Sequence, residues 1–161
     1  MANRLRAAFY RGGTSKAVVF NGKDLPEDPK LRDRIFLHVL GSPDPYGRQL
    51  NGMGGGLSSL SKVVIVQSSE REDADVDYTF VQIAVDEPLA DYGSACGNMS
   101  SCVGPFAVEE GMVNVERGET SALVRIFDTN TKRLYHARFP LRNGKVVEEG
   151  TVAIPGVSGT G

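Results

Sequence analysis

The apolar residues of this chain come mostly in short alternating runs that end at glycine, proline or charged residues. Alternation at every second position predicts β-strands with one buried face. Only two stretches repeat at helical spacing instead. A sheet of short strands with two helices packed on it belongs to the α+β class.

Strands are predicted at residues 5–9, 16–20, 62–66, 76–85, 123–127, 134–141 and 145–147. Residues 11–14 turn the chain between the first two, and Asn143-Gly144 predicts a tight hairpin before the last. Pro140 cannot donate a backbone hydrogen bond, so its strand is expected at a sheet edge. Within 76–85 the apolar positions change from even to odd numbers, which predicts a β-bulge.

Two helices are predicted, at residues 30–40 and 97–111. Pro29 precedes the first helix and Gly41 ends it, as is common at helix termini. Its apolar residues lie on one side, which is typical of a peripheral amphipathic helix. The second helix is apolar around most of its circumference, which predicts that it is buried.

The composition excludes several classes of protein. The chain has 161 residues, 40% of them hydrophobic, which is enough for one domain with a real core. Its net charge of −2 leaves no basic stripe for a phosphate backbone, so nucleic-acid binding is not expected. No apolar run approaches the roughly 18 residues of a membrane span, and the polar start lacks a secretory segment. We therefore expect no membrane partner and a cytoplasmic location.

The cysteines and histidines point to no metal site and no hydrolase triad. Cys96 and Cys102 are six positions apart, so on one helix they would face different ways and form no disulfide with each other. They are also too few for structural zinc. Cys102 is interpreted as a small core residue, whereas Cys96 is either a core residue or a thiolate favoured by a helix N-terminus. His38 and His136 lie on separate elements and are interpreted as structural or exposed.

Residues 11–16, 51–62 and 91–101 each place small residues and hydroxyls at the end of a strand or helix. Backbone N–H groups in such places bind anions, so carboxylates or phosphates are the expected ligands. The glycines at 52 and 54–56 lack the spacing of a phosphate-binding P-loop or a dinucleotide fingerprint, and a mobile surface loop is the alternative interpretation.

Lys62 follows three serines of this loop and begins an apolar strand. Most lysines are simply exposed. In a half-buried strand, however, Lys62 shares a face with Val64 and Val66, and desolvation would favour its neutral form. A neutral amine there could remove the proton of a carbon acid.

Four blocks of the chain resemble the PrpF family of 2-methylaconitate and aconitate isomerases. They are Tyr10-Arg11-Gly12-Gly13-Thr14-Ser15-Lys16, Gly41-Ser42-Pro43-Asp44-Pro45-Tyr46, residues 52–62 and Cys96-Gly97-Asn98-Met99-Ser100-Ser101. The resemblance implies the diaminopimelate epimerase-like fold. In that fold two similar domains each wrap a barrel-like sheet around a central helix, and the active site lies between them.

The resemblance also implies roles for individual residues. The family's catalytic base falls on Lys62 and its site-lining cysteine falls on Cys96, and these two are the predicted catalytic residues. Ser15 falls on a ligand-contacting position. So does each residue of one stretch of the glycine loop, namely Gly55, Gly56, Leu57, Ser58 and Ser59. The chain departs from the family's more usual Ala-Thr at Gly56-Leu57, so the acid is left open among methylaconitate, aconitate and oxalomesaconate.

The working hypothesis is an isomerase that needs neither metal nor organic cofactor. Backbone N–H groups of residues 55–59, with those of Gly97 and Asn98, would hold the substrate carboxylates, and Arg11 is a weaker candidate. Lys62 would remove an allylic proton and return it. Two alternatives stay open: an amino-acid epimerase or racemase with two opposed thiols, one of them Cys96, and a carboxylate-binding domain without catalysis.

The domain organisation is predicted from the last residues. Residues 1–154 are expected to form the N-terminal domain, and 155–161, rich in glycine, to begin a linker to a second domain. If the active site lies between two domains, this half supplies the residues that line only one side of it. The chain alone is therefore expected to be inactive, and homodimerisation is left open.

Overall fold

The computed structural model describes residues 4–160. Within that range the strands are β1 (Ala8–Gly12), β2 (Ser15–Asn21), β3 (Lys62–Ser68), β4 (Val76–Ile83), β5 (Ala90–Asp91), β6 (Ser121–Asp128), β7 (Arg133–Arg142) and β8 (Lys145–Val146). The α-helices are α1 (Pro29–Leu40), α2 (Gly97–Ser100) and α3 (Val103–Glu109), and 3₁₀ turns occupy Gly22–Asp24 and Ser58–Leu60.

All these strands join one mixed sheet in the order β1-β2-β3-β4-β6-β7-β8, with β5 paired to the end of β4. The pairs β2/β3 and β4/β6 are parallel, and the other pairs are antiparallel. Helix α2 contacts β1 and β2, whereas α3 contacts the central strand β3 as well as β6, β7 and β8 at the other end of the sheet. The sheet therefore curls as a half-barrel around the two short helices, and the predicted α+β class is confirmed.

The core has two layers because both faces of the central strands are covered. On the concave face, Met99 and Phe106 of α2 and α3 pack against a cluster that includes Val64 and Tyr78. On the convex face, Phe36 and Leu40 of α1 pack against a second cluster with β2, β3 and β4. Helix α1 has the predicted ends: Asp28 accepts from the Lys30 N–H at 3.0 Å, and Gly41 is left-handed with φ 77°.

The predicted β-bulge is wrong. The pairing of β3 with β4 runs without interruption from Lys62↔Gln82 to Ser68↔Val76. The apolar phase changes because Phe80 belongs to the concave core and Val81 and Ile83 to the convex core. A strand covered on both faces is apolar at even and odd positions alike.

The second helix is buried as predicted, but it is broken at Ser101 and Cys102 into α2 and α3. Pro105 has no N–H to donate to Ser101, which removes a helical hydrogen bond at this point. The bounds of the first strand also differ from the prediction. Strand β1 begins at Ala8 and extends to Gly12, so the turn into β2 is only Gly13-Thr14.

The C-terminal hairpins agree with the prediction. Asn143 and Gly144 have φ values of 56° and 75°, as a tight type I′ hairpin requires. Strand β7 pairs with β6 on one side, and on the other side it pairs with β8 only at Leu141 and Arg142, where the Val147 N–H also donates to the Pro140 carbonyl at 3.1 Å. Among the described residues, the outer edge of β7 before Pro140 has no strand beside it. Within residues 4–160, no helix has the length and apolar character needed to cross a membrane.

Candidate active site

Lys62 is the first residue of β3 and its side chain lies on the concave face. It is only 8% exposed. Its Nζ donates to Oε1 of Gln82 at 2.7 Å and lies 4.9 Å from the centre of the Phe80 ring. Val64 and Val66, at alternate positions of the same strand, belong to the concave core as predicted. The amine thus lies beside apolar side chains, is hydrogen-bonded to Gln82, and is close to an aromatic ring that favours a cation.

Gln49 holds the glycine loop, and the sequence analysis did not single it out. Its side chain is 1% exposed. Nε2 donates to the hydroxyls of Ser42 at 2.8 Å and Ser61 at 2.7 Å, and Oε1 accepts from the N–H of Gly56 at 3.0 Å. A loop tied down by a buried amide has a defined shape, which disfavours the interpretation as a mobile surface loop.

The glycines of this loop serve close packing. A Cβ at Gly54 would overlap the Gln49 amide, and one at Gly55 would overlap Leu60. Gly56 has φ 71° and lies against the carbonyl of Gly47. Because the Gly56 N–H is bonded to Gln49, it is not available to a ligand, which corrects the expectation that all N–H groups of residues 55–59 face one.

Leu57, Ser58 and Ser59 come next, at the 3₁₀ turn before Lys62. Leu57 is 60% exposed, Ser58 is exposed and Ser59 is half-buried. The Ser58 carbonyl accepts from Nε2 of Gln82 at 3.0 Å. Gln82 therefore connects this turn with Lys62 through one amide.

The turn between β1 and β2 packs on the N-terminus of α2. Nδ2 of Asn98 donates to the Thr14 hydroxyl at 3.1 Å, and a Cβ at Gly12 would overlap the Asn98 carbonyl. Ser15 is 3% exposed, beside this contact. Arg11 is exposed, and its Nε donates to the carbonyl of Gly13 in its own turn at 2.9 Å.

Cys96 caps α2 and is half-buried against the concave core. Its carbonyl accepts from the Tyr78 hydroxyl at 3.3 Å. Gly97 and Asn98 follow it, both exposed in the first turn of the helix.

The predicted site residues thus form two groups. One joins Lys62 to the glycine loop, and the other joins Cys96, Gly97 and Asn98 to the turn of residues 11–16. Among residues 4–160, no hydrogen bond connects the two groups directly, and no three His, Cys, Asp or Glu side chains are placed to bind a metal ion.

Cys102 is a core residue, as predicted. It is buried, its Sγ lies 3.0 Å from the Met99 carbonyl, and burial raises the pKa of the thiol to about 12. Both cysteines are free. His38 and His136 are exposed on α1 and β7.

Comparison with known proteins identifies the family. The profile of the family described as PrpF protein matches residues 2–161. The chain belongs to the PrpF family. A 4-oxalomesaconate tautomerase of Pseudomonas putida is 47% identical over 97% of this chain and 42% of its own length. A 2-methyl-aconitate isomerase of Cupriavidus necator is 44% identical over 96% of this chain and 41% of its own length.

The structure supports the same assignment. The crystal structure of a methylitaconate-delta-isomerase matches this PrpF family member with a TM-score of 0.91 and 41% identity, over 98% of this chain and 69% of that chain. The family resemblance drawn from the four sequence blocks is confirmed. The chain nevertheless spans well under half the length of these two curated relatives.

Proposed function

We propose that this chain forms part of an isomerase that moves a proton within a small unsaturated di- or tricarboxylate, without a cofactor. The observation that carries the proposal is the Lys62 amine, which is 8% exposed and hydrogen-bonded to Gln82 beside the serine turn. The relatives' names, isomerase and tautomerase of such acids, support it. Because the chain spans 41% of one such relative, the activity is proposed for the complete protein.

The substrate carboxylates would be held by backbone N–H groups. Candidates are those of Gly55 and of residues 57–59 in the glycine loop, and those of Gly97 and Asn98 at the start of α2. Gly56 is left out because its N–H is bonded to Gln49. Cys96, Ser15 and the outer nitrogens of Arg11 are proposed to line the site from the second group of residues.

Lys62, as the neutral amine, would remove an allylic proton from the substrate. The electron pair of that C–H bond passes into the conjugated carboxylate, and the enediolate charge is stabilised by the N–H donors. The Lys62 ammonium then returns the proton, either to the same carbon after bond rotation or to the far carbon of the allylic system. The proton and the double bond are the only things that move.

We also propose that residues 1–154 form one domain and that 155–161 lead to a second one. The support is the greater length of the relatives and the irregular backbone after β8. Tyr46, Leu50 and Leu57, around the glycine loop, are large exposed apolar side chains of the kind that a covering domain buries. The substrate and this second domain are the proposed partners, while the homodimer and the cytoplasmic location stay predictions.

The test is proton NMR of the complete protein in deuterium oxide with 2-methylaconitate, aconitate and oxalomesaconate. Exchange of an allylic proton in at least one acid is expected. Lys62→Ala should lower the exchange rate by about 10²–10⁴-fold, because a general base is lost. Cys96→Ser should retain most of the activity.

Two outcomes would contradict the proposal. Loss of activity with Cys96→Ser and retention with Lys62→Ala would indicate the two-thiol epimerase. Binding of these acids without exchange after long incubation would indicate a carboxylate-binding domain.

A further inference from the structure

Gln82 lies opposite Lys62 because of the pairing between β3 and β4. The two residues are direct partners in the antiparallel register, so both side chains lie on the concave face. The Ser61 carbonyl, one residue before Lys62, accepts from the Ile83 N–H at 3.0 Å, which continues the ladder past the pair. The separation of Lys62 and Gln82 is therefore set by backbone hydrogen bonds on both sides.

The orientation of the Gln82 amide is determined by its neighbours. Nε2 donates to the carbonyl of Ser58 at 3.0 Å and to that of Ser61 at 2.8 Å. Carbonyl oxygens only accept hydrogen bonds, so the NH₂ end must face them. The other end, Oε1, then faces Nζ of Lys62 at 2.7 Å.

We propose that Gln82 is a positioning residue that aims the Lys62 amine and ties it to the serine turn. This inference rests on the proposed function and deepens it. A neutral amine has two hydrogens and one lone pair, and a hydrogen bond to Oε1 directs the lone pair away from the amide. In the ammonium form the same oxygen, together with the Phe80 ring, stabilises the new charge.

An uncharged hydrogen-bond partner such as Gln82 is favourable for a lysine that acts as a base. A carboxylate at position 82 would favour the ammonium form of Lys62 and so oppose removal of the substrate proton, whereas an amide accepts the same hydrogen bond without a full charge. Within residues 4–160, Gln82 is also the only residue whose side chain is hydrogen-bonded both to Lys62 and to the serine turn.

The connection continues into the glycine loop. The Ser61 hydroxyl accepts from Gln49, whose Oε1 accepts from the Gly56 N–H. Two glutamine amides therefore link the base to the loop whose N–H groups are proposed to hold the substrate. A change of loop shape on substrate binding would reach Lys62 through Gln82.

The experiment compares Gln82→Glu with a matched control, Gln67→Glu, which makes the same substitution at an exposed position of β3. In the complete protein, Gln82→Glu is expected to shift the acidic limb of the plot of exchange rate against pH to higher pH, by about one unit or more. Gln67→Glu should leave the profile in place. Gln82→Met, which keeps the length and loses the hydrogen bonds to Lys62, Ser58 and Ser61, should lower kcat by about tenfold or more with a smaller effect on KM.

A second readout does not depend on turnover. NMR of the lysine side chains in the 161-residue chain follows the titration of Lys62 directly, and its midpoint is expected to rise in Gln82→Glu relative to both the wild type and Gln67→Glu. An unchanged midpoint in folded Gln82→Glu, or a kcat for Gln82→Met equal to that of the wild type, overturns the inference. If the midpoint rises but the complete protein exchanges no proton of any acid offered, the role of Gln82 stands and the proposed function fails.

Discussion

At the scale of single residues, one ion pair joins Asp75, the residue before β4, to Arg125 of β6. The Asp75 carboxylate accepts from the Arg125 guanidinium at 2.6 and 3.1 Å and from the Arg125 backbone N–H at 2.8 Å. The hydrogen bond from the guanidinium is the main cause that holds the pKa of Asp75 below its usual range. Asp75→Asn is expected to lower the free energy of unfolding at pH 7 by about 1 kcal/mol, a low value because Arg125 is partly exposed.

The sign of the pH dependence follows from the lowered pKa. The stabilisation is fully present above the unfolded-state value of about 4 and is lost as the pH falls through the lower value of the folded state. Urea unfolding of Asp75→Asn and the wild type should therefore differ at pH 7 and converge in acid. Asp73→Asn, in an exposed pair with Arg71, is the control and should change little. A difference for Asp75→Asn that is as large at pH 2 as at pH 7 would contradict the assignment.

The two cysteines are predicted to react differently. Burial raises the pKa of the Cys102 thiol to about 12, so it carries almost no thiolate at neutral pH. Cys96 is half-buried at the cap of α2. Titration with a coloured disulfide reagent should count one thiol in the native chain and two in denaturant. Rapid reaction of both thiols in the native chain would show that the packing around Cys102 is wrong.

At the scale of elements, the glycine loop and the end of α1 depend on each other. The N–H groups of Met53 and Gly54 donate to the carbonyls of Val39 and Leu40 at 2.8 and 3.1 Å, satisfying the last turn of the helix. Gly52 lies where the loop meets the end of the helix, and a Cβ there would overlap backbone atoms of Leu40 and Gly41. Backbone atoms cannot rotate aside as a side chain can.

Gly52→Ala is therefore expected to lower the free energy of unfolding by about 3 kcal/mol, the upper end for overpacking. Gly47→Ala is the control: it has a positive φ of 66° but open space around it, so only the backbone strain of about 1 kcal/mol remains. Chemical denaturation of both variants measures the difference. Equal losses would contradict the overlap with α1, because Gly52 is not one of the glycines with a positive φ.

At the scale of the whole molecule, the candidate site is open. Leu57, Ser58, Gly97 and Asn98 are all exposed. Proton abstraction from a carbon acid benefits from a site that excludes water, because charges interact more strongly there. We therefore expect the chain alone to exchange no proton of an unsaturated carboxylate, as followed by NMR in deuterium oxide. The complete protein is the positive control, and turnover by the chain alone would contradict the prediction of a second wall.

Local patterns were enough to predict most elements. Asn143-Gly144 predicted its hairpin and Gly41 the end of α1, because the conformations that these residues allow depend on their own backbone. The bulge in β4 and the unbroken second helix were wrong for a shared reason. The spacing of apolar residues shows which positions are buried. It does not show that both faces of β4 are covered, and it does not show that Pro105 removes a hydrogen bond from the second helix.

The sequence by itself determined the α+β class, the family, and Lys62 as the candidate base, since each follows from short local patterns in the chain. The tertiary structure alone decided what surrounds that base. Gln49 and Gln82 look like ordinary polar residues in a loop and a strand. Their partners are brought to them by the strand register and by the fold of the loop, over separations of 7 to 24 residues. Hydrogen bonds over such distances depend on the position of whole elements, and no local pattern encodes them.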